Sequence, residues 1–174
     1  MKILLIISSS VGCYKALDLI RELQRQSIDY EVIATQNTFQ FVSKLLIESI
    51  AKKKIYSELF DLDMEQNIGH IKLARDNSHI VVYPATANLI SKFANGICDD
   101  LATTCMIAAN KKVLIAPAMN KEMWANPITQ NNINKCKEYG HEFIGPDDGS
   151  LACGEYGSGR LVDPLEIIKI IKAQ

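Results

Sequence analysis

The hydrophobic residues of this chain fall into short runs that are separated by amphipathic stretches. Five runs rich in Ile and Val predict β-strands: KILLIIS (2–8), YEVIAT (30–35), HIVVYP (79–84), KVLIAP (112–117) and HEFIGP (141–146). Because these runs are apolar at consecutive positions, both faces of the predicted strands must be covered. Between the first two runs, apolar residues recur at helical spacing (Ala16, Leu19, Ile20 and Leu23). The pattern therefore predicts an α/β fold, with helices covering both faces of a parallel sheet.

Three further segments complete the predicted element order. A helix is expected from about 38 to 51, and KIY (54–56) predicts a short strand. The closing segment DPLEIIKIIKA predicts a helix that has Asp163 as its N-cap and Pro164 at its first position.

Composition and charge narrow the class of protein. The chain has 174 residues, of which 48% are hydrophobic, enough for one globular domain with a substantial core. Its 19 basic residues are balanced by 20 acidic ones, so the chain has no excess of positive charge that would attract nucleic acid. No apolar run reaches the roughly 18 residues of a membrane span, so we expect a cytoplasmic chain without membrane contact. The 5 cysteines lack metal-ligand spacing, so neither a disulfide framework nor a metal site is expected. Most of the thiols should be buried, including Cys98 and Cys105, which lie inside helical patterns.

Small, hydroxyl and amide side chains follow each predicted strand. They occur in SSSVG (8–12), TQNT (35–38), PATANL (84–89), PAMN (117–120) and GPDDGS (145–150). Ligands of open α/β sheets bind outside the carboxyl ends of the strands, so these segments predict one cofactor site. The serine-rich turn opens a helix and can present hydroxyl and N–H groups to a phosphate. It lacks the glycine patterns of dinucleotide-binding and P-loop proteins, which disfavours both classes.

Four motifs occur in a characteristic order: GHIKLAR (69–75), PATANLISKFANGICDDLATT (84–104), PAMNKEMW (117–124) and GSLACGEYGSGRL (149–161). Together they resemble the flavin-containing cysteine decarboxylases over essentially the entire chain. The resemblance implies one Rossmann-like (flavodoxin-like) domain over 1–174, a three-layer sandwich with a parallel sheet. It also implies bound FMN and a homo-oligomer, either a trimer or a dodecamer, with the cofactor between subunits.

The resemblance also assigns the cofactor contacts. It expects the FMN phosphate and ribityl chain near the first turn, where related proteins usually have glycine in place of Ser9, and it expects Leu89 to contact the flavin through its backbone or by packing. The full set of implied FMN contacts is Ser9, Ser10, Val11, Thr35, Gln36, Asn37, Thr86, Ala87, Asn88, Leu89 and Ala118.

The same resemblance assigns the reacting groups. His70 matches the active-site histidine, and Asn120 matches the asparagine that holds the departing carboxylate. Met123 is expected to line the substrate pocket. The glycine-rich segment at about 146–161 contains too many glycines to suggest a stable strand or helix, and it resembles a substrate clamp that closes as a lid. Within that segment Ala152, Cys153 and Gly154 are expected to contact the substrate, and Cys153 to donate a proton.

The implied activity is FMN-dependent decarboxylation of 4'-phosphopantothenoylcysteine to 4'-phosphopantetheine in coenzyme A biosynthesis. Three alternatives share parts of the pattern. A decarboxylase of peptide C-terminal cysteines would share FMN, His70 and Asn120, but the Ala-Cys-Gly segment argues against it. A flavin prenyltransferase shares the fold but does not suit His70 with PAMNKEMW. A non-catalytic flavin-binding regulatory subunit could keep each binding motif, although such proteins usually carry acidic tails.

Overall fold

A computed structural model of the chain describes residues 1–60 and 69–173. Its centre is a sheet of five parallel strands in the order β2-β1-β3-β4-β5. The strands are β1 Lys2–Ile7, β2 Asp29–Ala34, β3 His79–Ala85, β4 Val113–Pro117 and β5 Glu142–Phe143. The predicted α/β fold with a parallel sheet is confirmed, although the predicted fifth strand pairs over only two residues.

Side chains of β1 alternate between two separate hydrophobic cores. Ile3, Leu5 and Ile7 pack into one core, whereas Leu4 and Ile6 pack into the other. All of them are at most 1% exposed, which explains why the run is apolar at consecutive positions. The sheet is therefore the middle layer of three.

Helices occupy both outer layers, and their bounds are α1 Cys13–Arg25, α2 Lys44–Ala51, α3 Gly69–Asp76, α4 Ala87–Ala94, α5 Leu101–Ala108, α6 Lys121–Ala125, α7 Pro127–Glu138 and α8 Pro164–Ala173. The core on one side of the sheet includes residues of α1, α2 and α8. The opposite core includes residues of α3, α4, α5 and α7. None of the helices in the described ranges is both long and apolar enough to cross a bilayer.

Helix caps explain where several helices begin. The Asp163 carboxylate accepts from the N–H of Leu165 at 2.9 Å, and Pro164 is the first helical residue, as predicted. The predicted helix from 38 to 51 is divided: a 3-10 turn covers Gln36–Gln40, and α2 starts only after Ser43, whose hydroxyl accepts from the N–H of Leu46. The predicted strand at 54–56 is reduced to one bridge at Tyr56, parallel to β2.

The glycine-rich segment forms a β-hairpin, so the expectation that it contains no stable strand is wrong. Strand β6, Asp147–Ser150, pairs antiparallel with β7, Tyr156–Arg160. The glycines allow this pairing because two of them, Gly157 and Gly159, have φ of 158° and 135°. Their lack of side chains lets the hairpin lie close to the end of β4.

Gly159 makes the closest of these approaches. The N–H of Met119 donates to the Gly159 carbonyl at 3.1 Å. A Cβ atom at position 159 would lie 2.1 Å from the Met119 carbonyl oxygen, well inside van der Waals contact. The hairpin can therefore dock on the end of β4 only with glycine here.

We predict that Gly159→Ala detaches the hairpin from β4. Amide hydrogen exchange should speed up at Met119 and along both hairpin strands, because the new methyl group overlaps the Met119 carbonyl. Gly154→Ala is the matched control, since Gly154 also has a positive φ of 84°, but a Cβ atom there would meet no atom of the described residues within 4 Å. Unchanged protection at Met119 in Gly159→Ala would contradict this account of docking.

Candidate functional site

Strands β1 and β3 end side by side where the chain connections leave in opposite directions. Such a switch point is the usual ligand site of an open α/β sheet. Ser8, at 2% exposure, joins the two strand ends: its hydroxyl donates to the Pro84 carbonyl at 2.9 Å and accepts from the N–H of Thr86 at 2.9 Å. Sequence reasoning did not select Ser8, although its place directly after a buried run is a usable signal.

A cavity of about 190 Å³ lies at this switch point. The Thr86 hydroxyl caps α4 by accepting from the N–H of Leu89 at 3.3 Å. Lys92 also lines the cavity, but its ammonium lies 2.7 Å from an Asp99 carboxylate oxygen, so its charge is compensated. The cavity brings together most of the predicted cofactor contacts, namely Ser9, Thr35, Gln36, Asn37, Thr86, Asn88 and Leu89. Its walls are mainly neutral hydroxyl and amide groups.

A larger cavity, of about 660 Å³, lies between the serine turn and the hairpin. Ser9 lines the smaller cavity and Ser10 the larger one, so the two cavities adjoin across the turn. The larger cavity brings together residues predicted for cofactor and for substrate, namely Ser10, Val11, Ala118, Asn120, Ala152 and Cys153. The hairpin therefore closes one side of the candidate site.

The amide of Asn120 has a defined orientation in this cavity. Asn120 follows β4 and caps α6, because its Oδ1 accepts from the N–H of Met123 at 2.8 Å. The cap occupies the amide oxygen, and within the described residues the Nδ2 group makes no hydrogen bond. The free group is a donor, which suits a carboxylate or another acceptor.

Cys153 lies at the exposed tip of the hairpin. Its thiol donates to a Glu155 carboxylate oxygen at 3.4 Å, and the other carboxylate oxygen lies 3.6 Å from the Lys121 ammonium. The thiol is therefore accessible to the larger cavity, and its hydrogen bond to Glu155 holds it there.

Four predicted site residues do not line either of these cavities. Met123 is 47% exposed on α6, Gly154 is exposed at the hairpin tip, and Ala87 is the first residue of α4. His70 lies on α3, where its carbonyl accepts from the Cys105 thiol at 3.4 Å. Its ring Nδ1 is buried and lacks a hydrogen-bond partner in the part of the chain that the structure describes.

The remaining histidines have structural surroundings, as expected. The backbone N–H of Val113 donates to the ring Nδ1 of His141, which also packs against Phe93 at 4.6 Å between ring centroids. His79 opens β3 and shares a hydrogen bond with the Ser78 hydroxyl at 2.9 Å. Burial lowers the pKa of both imidazoles, which favours their neutral forms.

The cysteines divide into buried and exposed thiols. Cys13, Cys105 and Cys136 are buried, and burial raises the pKa of Cys105 to about 12 and that of Cys136 to about 11. These thiols stay protonated and unreactive at neutral pH. The expectation that Cys98 is buried is wrong: it is exposed, because it lies in the turn between α4 and α5 instead of in a helix.

Comparison with known proteins identifies the family. The family model described as "Flavoprotein" matches residues 1–174. The chain belongs to the flavoprotein family. It is 38% identical to a "Probable phosphopantothenoylcysteine decarboxylase" of Streptococcus mutans, over 99% of this chain and 98% of that protein. A mutant PPC decarboxylase complexed with pantothenoylaminoethenethiol has a TM-score of 0.89 and 30% identity, covering 99% of this chain and 96% of that one.

A bifunctional relative is longer than this flavoprotein. The "Coenzyme A biosynthesis bifunctional protein CoaBC" of Borreliella burgdorferi is 43% identical over 97% of this chain. The chain spans only 43% of that relative's length.

The smaller cavity of this flavoprotein fits a flavin chemically. Hydroxyl and amide side chains can pair with the hydroxyl groups of a ribityl chain and with the polar edge of an isoalloxazine ring. The hydrogen bonds of Ser8 to the end of β3 fix the positions of these walls relative to each other.

We predict that Ser8→Ala lowers the free energy of unfolding by about 1–3 kcal/mol, because the buried Pro84 carbonyl loses its donor and the partly buried N–H of Thr86 loses its acceptor. Flavin affinity should fall as well, since Thr86 lines the cavity. Ser49→Ala is the matched control: its hydroxyl also donates to a backbone carbonyl, at 2.7 Å, but on the exposed face of α2. Denaturant titration and flavin fluorescence measure both effects, and equal destabilisation by the two substitutions would argue against a special role for Ser8.

Proposed function

We propose that this flavoprotein decarboxylates 4'-phosphopantothenoylcysteine to 4'-phosphopantetheine with FMN as cofactor, a step of coenzyme A biosynthesis. The observation that carries the proposal is the shared cavity of Asn120 and Cys153, one with a free amide donor and the other with an accessible thiol. Relatives named for this activity or for coenzyme A biosynthesis support it.

In the proposed reaction, Asn120 binds and orients the carboxylate that departs. Its Oδ1 is committed to the cap of α6, so only Nδ2 can face the substrate, and this group can pair with a carboxylate oxygen. Because the cap already fixes the Asn120 side chain, this side chain loses little further conformational entropy when the substrate binds.

Bound FMN would supply the electron sink that decarboxylation of an unactivated amino acid derivative requires. His70 would serve an early proton transfer, and Cys153 would deliver the final proton to the product. We propose FMN in preference to FAD, because the serine turn offers one phosphate site and the sequence lacks a dinucleotide fingerprint.

The proposed enzyme is a homo-oligomer, a trimer or a dodecamer, with the flavin between subunits. His70 lines neither of the two cavities, which supports a site that subunits share. A cytoplasmic location is also part of the proposal, because phosphorylated precursors do not cross a bilayer unaided.

The proposal is tested by purifying the protein with its flavin and supplying 4'-phosphopantothenoylcysteine without oxygen. We expect FMN to be released on heating, carbon dioxide to form, and the product to have the mass of 4'-phosphopantetheine. Release of FAD would refute the cofactor assignment, and absence of carbon dioxide would refute the activity.

We predict that Asn120→Ala lowers kcat/KM by about 10- to 150-fold, which corresponds to losing a hydrogen bond to a charged group. Asn120→Asp should be at least as inactive while keeping α6 capped, because its carboxylate repels the substrate carboxylate. Asn126→Ala controls for the loss of a cap, since Asn126 caps α7 through the N–H of Ile128 at 2.9 Å. Turnover and flavin binding measure the effects, and normal turnover in Asn120→Asp would remove this residue from the site.

We predict that Cys153→Ser still releases carbon dioxide but accumulates a product lighter than 4'-phosphopantetheine by two hydrogens. A serine hydroxyl is a much weaker acid than a thiol, so it delivers the last proton poorly. Cys98→Ser is the control, because Cys98 is also exposed but lies outside the larger cavity. Mass spectrometry of the product decides the outcome; a normal product from Cys153→Ser would leave this thiol without a chemical role.

A further inference from the structure

Two cations that the proposed chemistry does not use line the larger cavity. Lys15 lies in the first helical turn of α1, just after the serine segment, and its side chain is partly buried. Arg160 is the last residue of β7 and therefore belongs to the hairpin that carries Cys153. The cavity thus has positive charge from two segments that are far apart in the sequence.

The course of the Arg160 side chain depends on a glycine. It crosses Gly149 on the neighbouring strand, where a Cβ atom would lie 2.8 Å from both Cδ and Nη1 of Arg160. Gly149 therefore forms a notch that the arginine side chain occupies. This notch explains one glycine of the hairpin that backbone conformation does not require.

Neither cation has a carboxylate partner within hydrogen-bonding reach in residues 1–60 and 69–173. Lys15 donates to the Leu161 carbonyl at 2.8 Å. Burial, followed by the charge of Arg160, lowers the pKa of Lys15, and the more distant Asp163, Asp147 and Asp18 offset this only in part. The two cations therefore raise each other's energy, and an anion in the cavity would relieve that repulsion.

Other lysines around the site differ in this respect. Lys92 at the smaller cavity is paired with Asp99 at 2.7 Å, and Lys121 beside the hairpin lies 3.6 Å from Glu155. The uncompensated charge is thus concentrated at Lys15 and Arg160, in the cavity that also contains Asn120.

The surrounding groups suit a phosphate monoester. The Arg160 guanidinium and the Lys15 ammonium are charged hydrogen-bond donors, which phosphate oxygens prefer as partners.

We propose that Lys15 and Arg160 form the subsite for the terminal phosphate of the substrate and select phosphorylated over unphosphorylated pantothenoylcysteine. The inference rests on the proposed function. FMN also carries a phosphate monoester, and the substrate is favoured because Arg160 comes from the same hairpin as Cys153.

The test uses the flavin-loaded protein and its variants Arg160→Gln and Lys15→Gln. Calorimetry measures the affinity for 4'-phosphopantetheine and for pantetheine, fluorescence measures FMN affinity, and turnover is measured with both phosphorylated and unphosphorylated substrate. Arg21→Gln is the matched control, because it removes a positive charge from the exposed face of α1, where Arg21 pairs with Asp18 at 3.1 Å.

Each variant should weaken binding of 4'-phosphopantetheine by about 10- to 150-fold and leave pantetheine and FMN affinities unchanged. Arg160→Lys should recover part of the loss, and Gly149→Ala, which displaces the arginine, should reproduce it. Arg21→Gln should bind all three molecules as the unmodified protein does.

Three results would overturn the inference. Equal losses for 4'-phosphopantetheine and pantetheine would mean that the cations only shape the cavity. Release of FMN would assign them to the cofactor phosphate, and unchanged affinities would remove them from any site.

The failure of this inference differs from a failure of the proposed function. If the unmodified protein decarboxylates phosphorylated and unphosphorylated substrates equally well, the inference fails and the function stands. If it releases no carbon dioxide yet binds 4'-phosphopantetheine through these two residues, the function fails and the phosphate subsite stands.

Discussion

The larger cavity depends on the backbone contact between Gly159 and Met119. Met119 lies just after β4 and Gly159 belongs to the hairpin, so their hydrogen bond fixes the hairpin against the sheet. A side chain at 159 would overlap the Met119 carbonyl, which makes the contact possible only for glycine. Because Asn120 is the next residue and Cys153 is on the hairpin, this contact also brings the amide and the thiol to the same cavity.

The two sides of the candidate site differ in burial and in hydrogen bonding. At the sheet edge, Ser8 is buried and bonded to two backbone groups, and Asn120 is tied to the start of α6. At the hairpin tip, Cys153 is exposed, and among residues 1–60 and 69–173 its thiol hydrogen-bonds to one side chain, that of Glu155. Fixed groups suit the binding and orientation of a substrate, whereas a group that delivers a proton must reach its target.

Charge is also unevenly distributed between the two cavities. The walls of the smaller cavity are mainly hydroxyl and amide groups, and the charge of its lysine is compensated by Asp99 and Asp100, whereas the larger cavity has two cations without close carboxylates among the described residues. Polar but uncharged walls suit a flavin ring and its ribityl chain, and cations suit a phosphate. The fold thus separates these environments on either side of the turn at Ser9 and Ser10.

The sequence by itself determined the features that follow from local periodicity and capping. Consecutive apolar residues predicted strands buried on both faces, Asp163 and Pro164 predicted the start of the last helix, and polar strand ends predicted most of the residues that line the smaller cavity. Only the tertiary structure decided the docking of the hairpin on β4, the link through Ser8 and the placement of Lys15 and Arg160 at one cavity. These features depend on contacts between segments that are distant in the chain. Hydrophobic periodicity reports only local structure, so it does not predict such contacts.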